Sequence, residues 1–226
     1  MSLLKLSNVN TGYGKKHVLY DVSIDVQEGE TLLIVGNNGS GKSTLLKVIY
    51  GLINVWDGII EYKGELLHDK NFKTDTYKLL NKGIMYIPQK DALFEDLSVE
   101  DNIQYSLLHL NDRIEIKNRV KHVLGLMPDL ERRKKQLAGK LSGGERKLLS
   151  LAIVLVNRPK LLLYDEPLAG ISENNIPIVN YWLETINKNG VTILIVEHRT
   201  KELLHFVNRL VRFDLGNKIE EQIIHK

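Results

Sequence analysis

The sequence predicts an α/β fold with a largely parallel sheet, and three observations carry that prediction. Short apolar runs bounded by turn residues have the length and composition of strands that are covered on both faces. Segments with helical spacing lie between those runs, and this alternation is typical of a parallel sheet. The first thirty residues instead alternate apolar and polar side chains, which predicts a small antiparallel layer beside the main sheet. The predicted core strands are residues 32–35, 84–87, 161–164 and 191–196.

The helices are predicted from their boundaries as well as from their spacing. The segment "KSTLLKVIYG" closes at Gly51, and "PIVNYWLETINKNG" opens with Pro177 and ends at Gly190. The segment "GIIEYKGELL" near Gly58 alternates like the amino-terminal residues and joins the antiparallel layer. Residues 93–140 carry few strand signals and several helix starts, such as "SVED", and so predict a helical insertion between two portions of the sheet.

Composition restricts the class of protein. The chain has 226 residues, of which 43% are hydrophobic and 26% charged, an ordinary globular composition. The net charge of +3 is too small to argue for nucleic acid. The absence of cysteine excludes disulfides and thiolate metal sites. The longest apolar stretch, residues 148–156, is far shorter than the roughly 20 residues that span a bilayer, and the amino terminus is unlike a signal peptide. We therefore expect a chain that neither crosses a membrane nor is exported.

A glycine-rich stretch follows the first predicted core strand and precedes a helix. Residues 36–43 fit the spacing G-x-x-x-x-G-K-[ST], whose glycines let backbone N–H groups curl around phosphate oxygens. Lys42 would approach the β- and γ-phosphates and Ser43 would bind Mg²⁺. The alternative is a glycine-rich turn that merely leads into a helix. The predicted phosphate-binding residues are Gly36, Asn37, Asn38, Gly39, Ser40, Gly41, Lys42, Ser43 and Thr44.

An acidic pair ends the apolar run "LLLYDEP". Asp165 and Glu166 could be a solvated turn. Beside a phosphate-binding loop, however, a carboxylate at a strand end can hold Mg²⁺, and its neighbour can orient or deprotonate water. We assign the metal role to Asp165 and the general-base role to Glu166.

The segment "LSGGERK" allows two interpretations. Ser142 and Glu145 have the spacing of a capping box that would begin an apolar helix. Capping does not explain Gly143 and Gly144, since each glycine weakens a helix by about 1 kcal/mol relative to alanine. Exposed backbone at a helix amino terminus is also an anion site. The residues alone leave cap and ligand site equally open.

Taken together, these motifs resemble those of the ATP-binding subunits of ABC transporters, a family of P-loop NTPases, over nearly the whole chain. "GNNGSGKST" resembles Walker A, "LSGGE" the ABC signature and "LLLYDEP" Walker B. Tyr13 in "GYG" resembles the aromatic residue that stacks on adenine, Gln89 in "YIPQ" the Q-loop glutamine, and His198 in "VEHR" the switch histidine. Read without the resemblance, Tyr13 could be an edge-strand aromatic, Gln89 an exposed loop amide, and His198 a cap on a strand end.

The resemblance implies a fold, a site and a set of partners. It implies one ABC ATPase domain over residues 1–226, with a RecA-like core and β layer at 1–92 and 155–226 and a helical signature subdomain at 93–154. It implies ATP and Mg²⁺, and a head-to-tail homodimer or heterodimer in which Ser142, Gly143, Gly144 and Glu145 complete the partner's nucleotide site. The catalytic residues would be Glu166, His198, Lys42 and Gln89, and the metal ligands Ser43, Gln89 and Asp165.

One position departs from the family. The loop after Walker B usually ends in aspartate, whereas here "LAGIS" places Ser172 there. A hydroxyl cannot supply the same charge to the dimer seam, so communication between the two sites is in question.

The favoured function is an ATPase that drives integral membrane permease subunits from the inner face of the cell membrane. The segments "IPQKDALFEDLSVEDNI" and "EPLAG" resemble those of the subfamily that serves branched-chain amino acid uptake and lipopolysaccharide export. The alternative is an ABC-type ATPase that gates a soluble assembly or regulatory complex. No nucleic acid is expected, because the segment between Gln89 and Leu141 is too short for the insertions of the relatives that act on DNA. The cluster "ERRKK", residues 131–135, is interpreted as a solvated helix face, with contact to partner loops or lipid headgroups as the alternative.

Overall fold

Two β-sheets and the helices around them make up residues 2–90 and 92–225, which the computed structural model describes. The strands are β1 Ser2–Tyr13, β2 Lys16–Gln27, β3 Thr31–Gly36, β4 Asp57–Tyr62, β5 Glu65–Asp69, β6 Ile84–Ile87, β7 Leu161–Asp165, β8 Thr192–Val196, β9 Arg209–Asp214 and β10 Asn217–Ile223. The α-helices are α1 Lys42–Ile49, α2 Thr76–Leu79, α3 Val99–Tyr105, α4 Arg113–Leu126, α5 Pro128–Arg132, α6 Gly143–Asn157 and α7 Ile176–Lys188.

The larger sheet is the predicted parallel core. Its strand order is β10-β9-β3-β8-β7-β6, and every neighbouring pair from β9 to β6 is parallel. All four predicted core strands lie in it, and three of them, β3, β7 and β8, are buried along nearly their whole length. The edge strand β10 pairs antiparallel with β9. Because parallel strands end at the same edge, the loops that follow β3, β6, β7 and β8 lie beside one another.

The smaller sheet is the predicted antiparallel layer. Its order is β2-β1-β4-β5, and each neighbouring pair is antiparallel. Residues 22–27 of β2 alternate between buried and exposed, as the sequence alternation predicts for a strand with one covered face. In β1 the alternation is interrupted, because adjacent residues are buried near both ends and the pairing with β2 has register shifts. This sheet shares a hydrophobic core with helix α1 and one face of the larger sheet.

The helical insertion follows β6 and supplies α3 to α6. Ser98 begins α3 by accepting a hydrogen bond from the Asp101 backbone N–H, as the "SVED" segment predicts. The predicted end of α1 and the predicted start of α7 also agree with the structure. Gly51 follows α1 with φ of 69°, and Pro177 lies in the first turn of α7. The subdomain boundaries at 93 and 154 stay a prediction, and α6 itself continues through Asn157.

None of the helices within the described residues has the length and apolar character needed to cross a bilayer.

Candidate functional site

The glycine-rich loop connects β3 to α1, and two of its glycines are required there, one by close packing and one by its backbone conformation. A Cβ on Gly36 would lie 2.2 Å from the Phe213 carbonyl oxygen of β9, so any side chain there would separate the loop from the sheet. Gly41 precedes α1 with φ of 98°, a backbone conformation that L-residues with side chains rarely adopt. The loop therefore has little room for other residues, and its backbone can wrap closely around a ligand.

Lys42 folds over the same loop. Its Nζ donates hydrogen bonds of 2.9 Å to the carbonyl oxygens of Gly36 and Asn37. Burial lowers the pKa of the Lys42 ammonium, while the nearby carboxylates of Glu166 and Asp165 oppose that effect. The ammonium thus lies in the curl of the loop, where a phosphate group would replace the carbonyl oxygens as its partner.

Ser43 and Asp165 are distant in sequence and form a direct hydrogen bond. The Ser43 hydroxyl, in the first turn of α1, donates to Asp165 Oδ1 at the end of β7 over 2.9 Å. Asp165 is almost completely buried, and burial raises the pKa of its carboxyl group, against the lowering effect of the Ser43 hydrogen bond. A cation between these oxygens would favour the charged carboxylate.

Glu166 is held between two neighbouring loops. Its Oε2 accepts a 2.5 Å hydrogen bond from Gln89 Nε2, and its Oε1 lies 3.2 Å from His198 Nε2. The Glu166 backbone has φ of 50° and its N–H donates to the Val196 carbonyl of β8. Strain of this kind at a polar residue is characteristic of functional sites, where the surrounding structure over-determines the conformation. The three predicted residues that follow β6, β7 and β8 are therefore in direct contact.

A cavity of about 540 Å³ opens beside these residues. Tyr13, Lys42, Ser43, Glu166 and His198 line it, as does most of the glycine-rich loop. Five of the predicted residues do not line the cavity: Gly36, Asn37, Ser40, Gln89 and Asp165. The Ser40 hydroxyl is buried, and within the described part of the chain it has no hydrogen-bond partner.

Five further residues line the cavity that sequence reasoning missed: Lys16, His17, Val18, Tyr20 and Leu215. They come from the β1–β2 hairpin and from the β9–β10 turn, where Leu215 is 77% exposed and has φ of 45°. The turn is tied to the loop, since the Gly216 N–H donates to the Ser40 carbonyl. The one sequence signal for the hairpin residues is that they lie within a few positions of Tyr13, which was predicted to contact the base.

The signature-like segment begins α6 with the predicted capping box. The Ser142 hydroxyl accepts from the Glu145 N–H, and the Glu145 carboxylate accepts from the Ser142 N–H. Hydrogen bonds from Ser142 and the Arg133 guanidinium lower the pKa of Glu145, although partial burial opposes them. The arginine Nε lies 2.6 Å from Glu145 Oε1.

The two glycines of this segment are also required by packing within the chain. A Cβ on Gly143 would lie 2.7 Å from the Gly170 carbonyl oxygen, and one on Gly144 would lie 2.3 Å from Asn175 Nδ2. The helix start therefore presses against the loop that follows Walker B. Packing against this loop is therefore a reason for the two glycines that does not depend on a ligand.

The structure does not bring the signature-like segment into the larger cavity. Ser142, Gly144 and Glu145 line a separate depression of about 420 Å³, which shares no lining residue with the cavity around Lys42. Within one chain, the two glycine-rich sites are thus apart.

The basic cluster 131–135 is paired internally. Each of its four cations contacts a carboxylate: Arg132 with Asp129, Arg133 with Glu145, Lys134 with Glu131 and Lys135 with Glu100. This pairing favours a solvated surface, but only the first two residues of the cluster lie in a helix, because α5 ends at Arg132.

The oxygen donors near Ser43 suit Mg²⁺. In the residues that the structure describes, no group of three or more His, Asp or Glu side chains could by itself hold a metal ion. Ser43 and Asp165 instead offer a hydroxyl and a carboxylate beside the glycine-rich loop. Mg²⁺ commonly uses one or two such protein ligands and takes the rest from water and phosphate. The residues present therefore fit the ion.

Known proteins match this chain in sequence and in fold. Residues 19–169 match the family model described as "ABC transporter". The high-affinity branched-chain amino acid transport ATP-binding protein BraG of Pseudomonas aeruginosa is 35% identical over 95% of this chain and 90% of its own length. The probable branched-chain amino acid transport ATP-binding protein LivF of Archaeoglobus fulgidus is 37% identical over 89% of this chain and 84% of its own. A nucleotide-free ATP-binding cassette from an ABC transporter superposes with a TM-score of 0.87 at 26% identity, over all of this chain and 92% of the cassette.

Proposed function

Since the chain belongs to the ABC transporter family of ATP-binding ATPases, we propose that it is the subunit that powers a separate membrane permease by ATP-driven dimerisation. The observation that carries this proposal is the position of Glu166, in contact with Gln89 and His198 at the rim of the cavity that the glycine-rich loop lines. The relatives' names favour a transporter of branched-chain amino acids or of a similar cargo.

The nucleotide would lie along the cavity with its phosphates at the loop. Backbone N–H groups at the start of α1 and the Lys42 ammonium would bind the phosphate oxygens, since both place positive charge inside the glycine-rich loop. Tyr13, which is 47% exposed on the cavity wall, would stack on the base, a contact that is worth about 1–3 kcal/mol and tolerates any base. We propose these residues, with Asn38, Gly39 and Thr44, as the binding face.

Mg²⁺ would be held by Ser43 and Asp165, with Gln89 nearby, and would supply charge neutralisation to the β- and γ-phosphates. The ion would replace the direct hydrogen bond between Ser43 and Asp165. Gln89, whose amide now contacts Glu166, would be free to face the ion or the attacking water.

Glu166 would act as the general base for water, and His198 would donate a hydrogen bond towards the γ-phosphate. The carboxylate lies at the end of a buried strand, so its position is set by the sheet. The strained backbone of Glu166 would keep the side chain pointed at the cavity. General-base catalysis of this kind is worth about 10²–10⁴ in rate.

A second chain would complete the site. Because the signature-like residues lie on a different surface from Lys42, we propose that Ser142, Gly143 and Gly144 of each chain face the nucleotide held by the other. ATP would then close the pair and hydrolysis would reopen it, which is a two-state equilibrium biased by the γ-phosphate. The pair could be two identical chains or this chain and a close relative.

The test is the variant Glu166→Gln, which keeps the shape of the side chain and removes the base. We expect ATP affinity to remain within about twofold while turnover falls by about 10²–10⁴, and we expect a dimer to accumulate with Mg-ATP on size exclusion with light scattering. Glu184→Gln is the matched control, because Glu184 pairs with Lys188 and His205 away from the cavity. Turnover at the parental rate in the Glu166 variant would show that Glu166 is not the base.

The permease is tested separately. The tagged chain is purified from membranes of its source organism, and its companions are identified by mass spectrometry. A multi-span membrane protein in stoichiometric amount is expected. Recovery of soluble companions alone would favour the alternative of a gated soluble assembly.

A further inference from the structure

A buried carboxylate that none of the roles above uses lies directly before His198. Glu197 follows the last residue of β8 and is only 3% exposed. Its backbone N–H donates to the Ile34 carbonyl of β3, so the main chain is anchored to the centre of the sheet. A carboxylate in such a place is costly unless hydrogen-bond donors surround it.

The donors that surround Glu197 come from two different loops. Its Oε2 accepts from the Leu168 backbone N–H over 2.9 Å, in the loop that follows β7. Its Oε1 accepts from the N–H groups of His198 and Arg199, over 2.9 and 3.2 Å, in the loop that follows β8. Hydrogen bonds to an ionised acceptor are stronger than those between neutral groups, so one side chain joins the two loops firmly.

We propose that Glu197 is a positioning residue that couples the loop of residues 168–172 to His198. The inference rests on the proposed function, because it concerns how His198 is placed beside Glu166. Movement of the 168–172 loop, which ends at Ser172 and packs through Gly170 against the start of α6, is transmitted through the carboxylate to the His198 backbone. His198, which lies 3.2 Å from Glu166, therefore depends on the position of that loop.

The carboxylate is needed for this task because both of its oxygens accept hydrogen bonds. A glutamine has one carbonyl oxygen, and its NH₂ group would face an N–H of one of the two loops. Glu197→Gln thus keeps the volume but breaks one of the two connections. Glu197→Asp keeps both oxygens but is one methylene shorter, so it can bond the adjacent His198 and Arg199 amides and no longer reaches Leu168.

The kinetic test compares Glu197→Gln with Glu30→Gln in the full chain. Glu30 is also a largely buried carboxylate that accepts a hydrogen bond from a backbone N–H. It directly precedes β3, at the end of that strand away from the glycine-rich loop, and it pairs with Arg209. We expect kcat of the Glu197 variant to fall by about 10²-fold, the effect of displacing a reacting group by about 1 Å, while the dissociation constant for ATP changes by less than about twofold. Glu30→Gln leaves kcat unchanged. If Glu197→Gln does not fold, Glu197→Asp is used and the same fall is expected.

A double-mutant cycle with His198→Ala shows whether Glu197 acts through His198 or stabilises the site in some other way. If Glu197 acts through His198, Glu197→Gln has almost no further effect on kcat when His198 is already absent. Hydrogen exchange gives a readout that does not depend on turnover: in Glu197→Asp the Leu168 amide should lose protection, while the His198 amide and the β8 amides keep theirs.

Several results would overturn the inference. These are an unchanged kcat in both Glu197 variants, additive effects in the cycle, or a loss of ATP affinity in proportion to kcat, which would indicate general damage. An absence of ATP hydrolysis in the parental chain would instead refute the proposed function, and the exchange measurement would still test the coupling of the two loops.

Discussion

The contact between the start of α6 and the loop after β7 makes a prediction that separates two explanations of the same glycines. A Cβ on Gly144 would lie 2.3 Å from Asn175 Nδ2 and 2.8 Å from its Cγ, whereas a Cβ on Gly143 would lie 2.7 Å from a backbone carbonyl oxygen. The perturbations are therefore Gly144→Ala, Gly143→Ala, and Gly144→Ala combined with Asn175→Ala.

The magnitudes follow from what each new methyl group meets. Overpacking costs about 1–3 kcal/mol, and the change from glycine to alanine in a helix returns up to about 1 kcal/mol. For Gly144→Ala we expect a net loss of about 1 kcal/mol in the free energy of unfolding, since the Asn175 side chain can rotate away at moderate cost. For Gly143→Ala we expect about 2 kcal/mol, because the Gly170 carbonyl can move only with its loop. For a chain of this size these losses lower Tm by about 2–4 and 4–8 °C.

The Asn175→Ala substitution removes the two closest atoms and leaves a Cβ at 3.3 Å. It should restore most of the stability that Gly144→Ala loses, and it should do nothing for Gly143→Ala. Urea unfolding with an unchanged m-value is the measurement, because it reports stability without a change in the surface exposed on unfolding.

The rescued double variant then tests the ligand role. If Ser142 and the two glycines also face a nucleotide held by a partner chain, ATP turnover of Gly144→Ala/Asn175→Ala should stay low although stability has returned. Equal stability of all the single variants and the parent would refute the packing argument. Full recovery of turnover in the rescued variant would mean that Gly144 serves packing alone.

Three other expectations follow from the geometry. Lys42→Ala should abolish ATP binding in calorimetry, since the ammonium is the cation that lies in the curl of the loop; an unchanged affinity would contradict the phosphate role. Burial lowers the pKa of His68 below its ordinary 6.5, so the unfolded chain binds the proton more readily, and stability that is complete above pH 6.5 should fall as pH decreases through the folded pKa. His68→Gln should remove that dependence in urea midpoints measured from pH 7.5 to 5, and persistence of the slope would assign it to other groups. Ser172→Asp should increase the Hill slope for ATP hydrolysis, and an unchanged slope would show that the serine is harmless.

Much of the architecture was predictable because the signals are local. The four core strands, the end of α1 at Gly51, and the capping box at Ser142 all depend on residues within a few positions of one another. Strands β9 and β10 were not singled out, because β9 is only partly buried and β10 is exposed throughout. In β10 the apolar residues are too few to show a periodicity, and in β9 the apolar residues Leu210 and Val211 are adjacent, so the short strand does not alternate.

The sequence by itself determined the class of fold, the glycine-rich loop between β3 and α1, and the acidic pair at the end of β7, since steric rules and side-chain chemistry act over short spans of chain. Tertiary structure alone decided which distant side chains meet. Gln89 and Glu166 are 77 residues apart and touch because β6 and β7 are parallel neighbours. The order of strands likewise places Glu197 between two loops, the β9–β10 turn beside the cavity around Lys42, and the signature-like glycines against Gly170. Contacts of this kind depend on strand order, register and packing, which no short segment specifies.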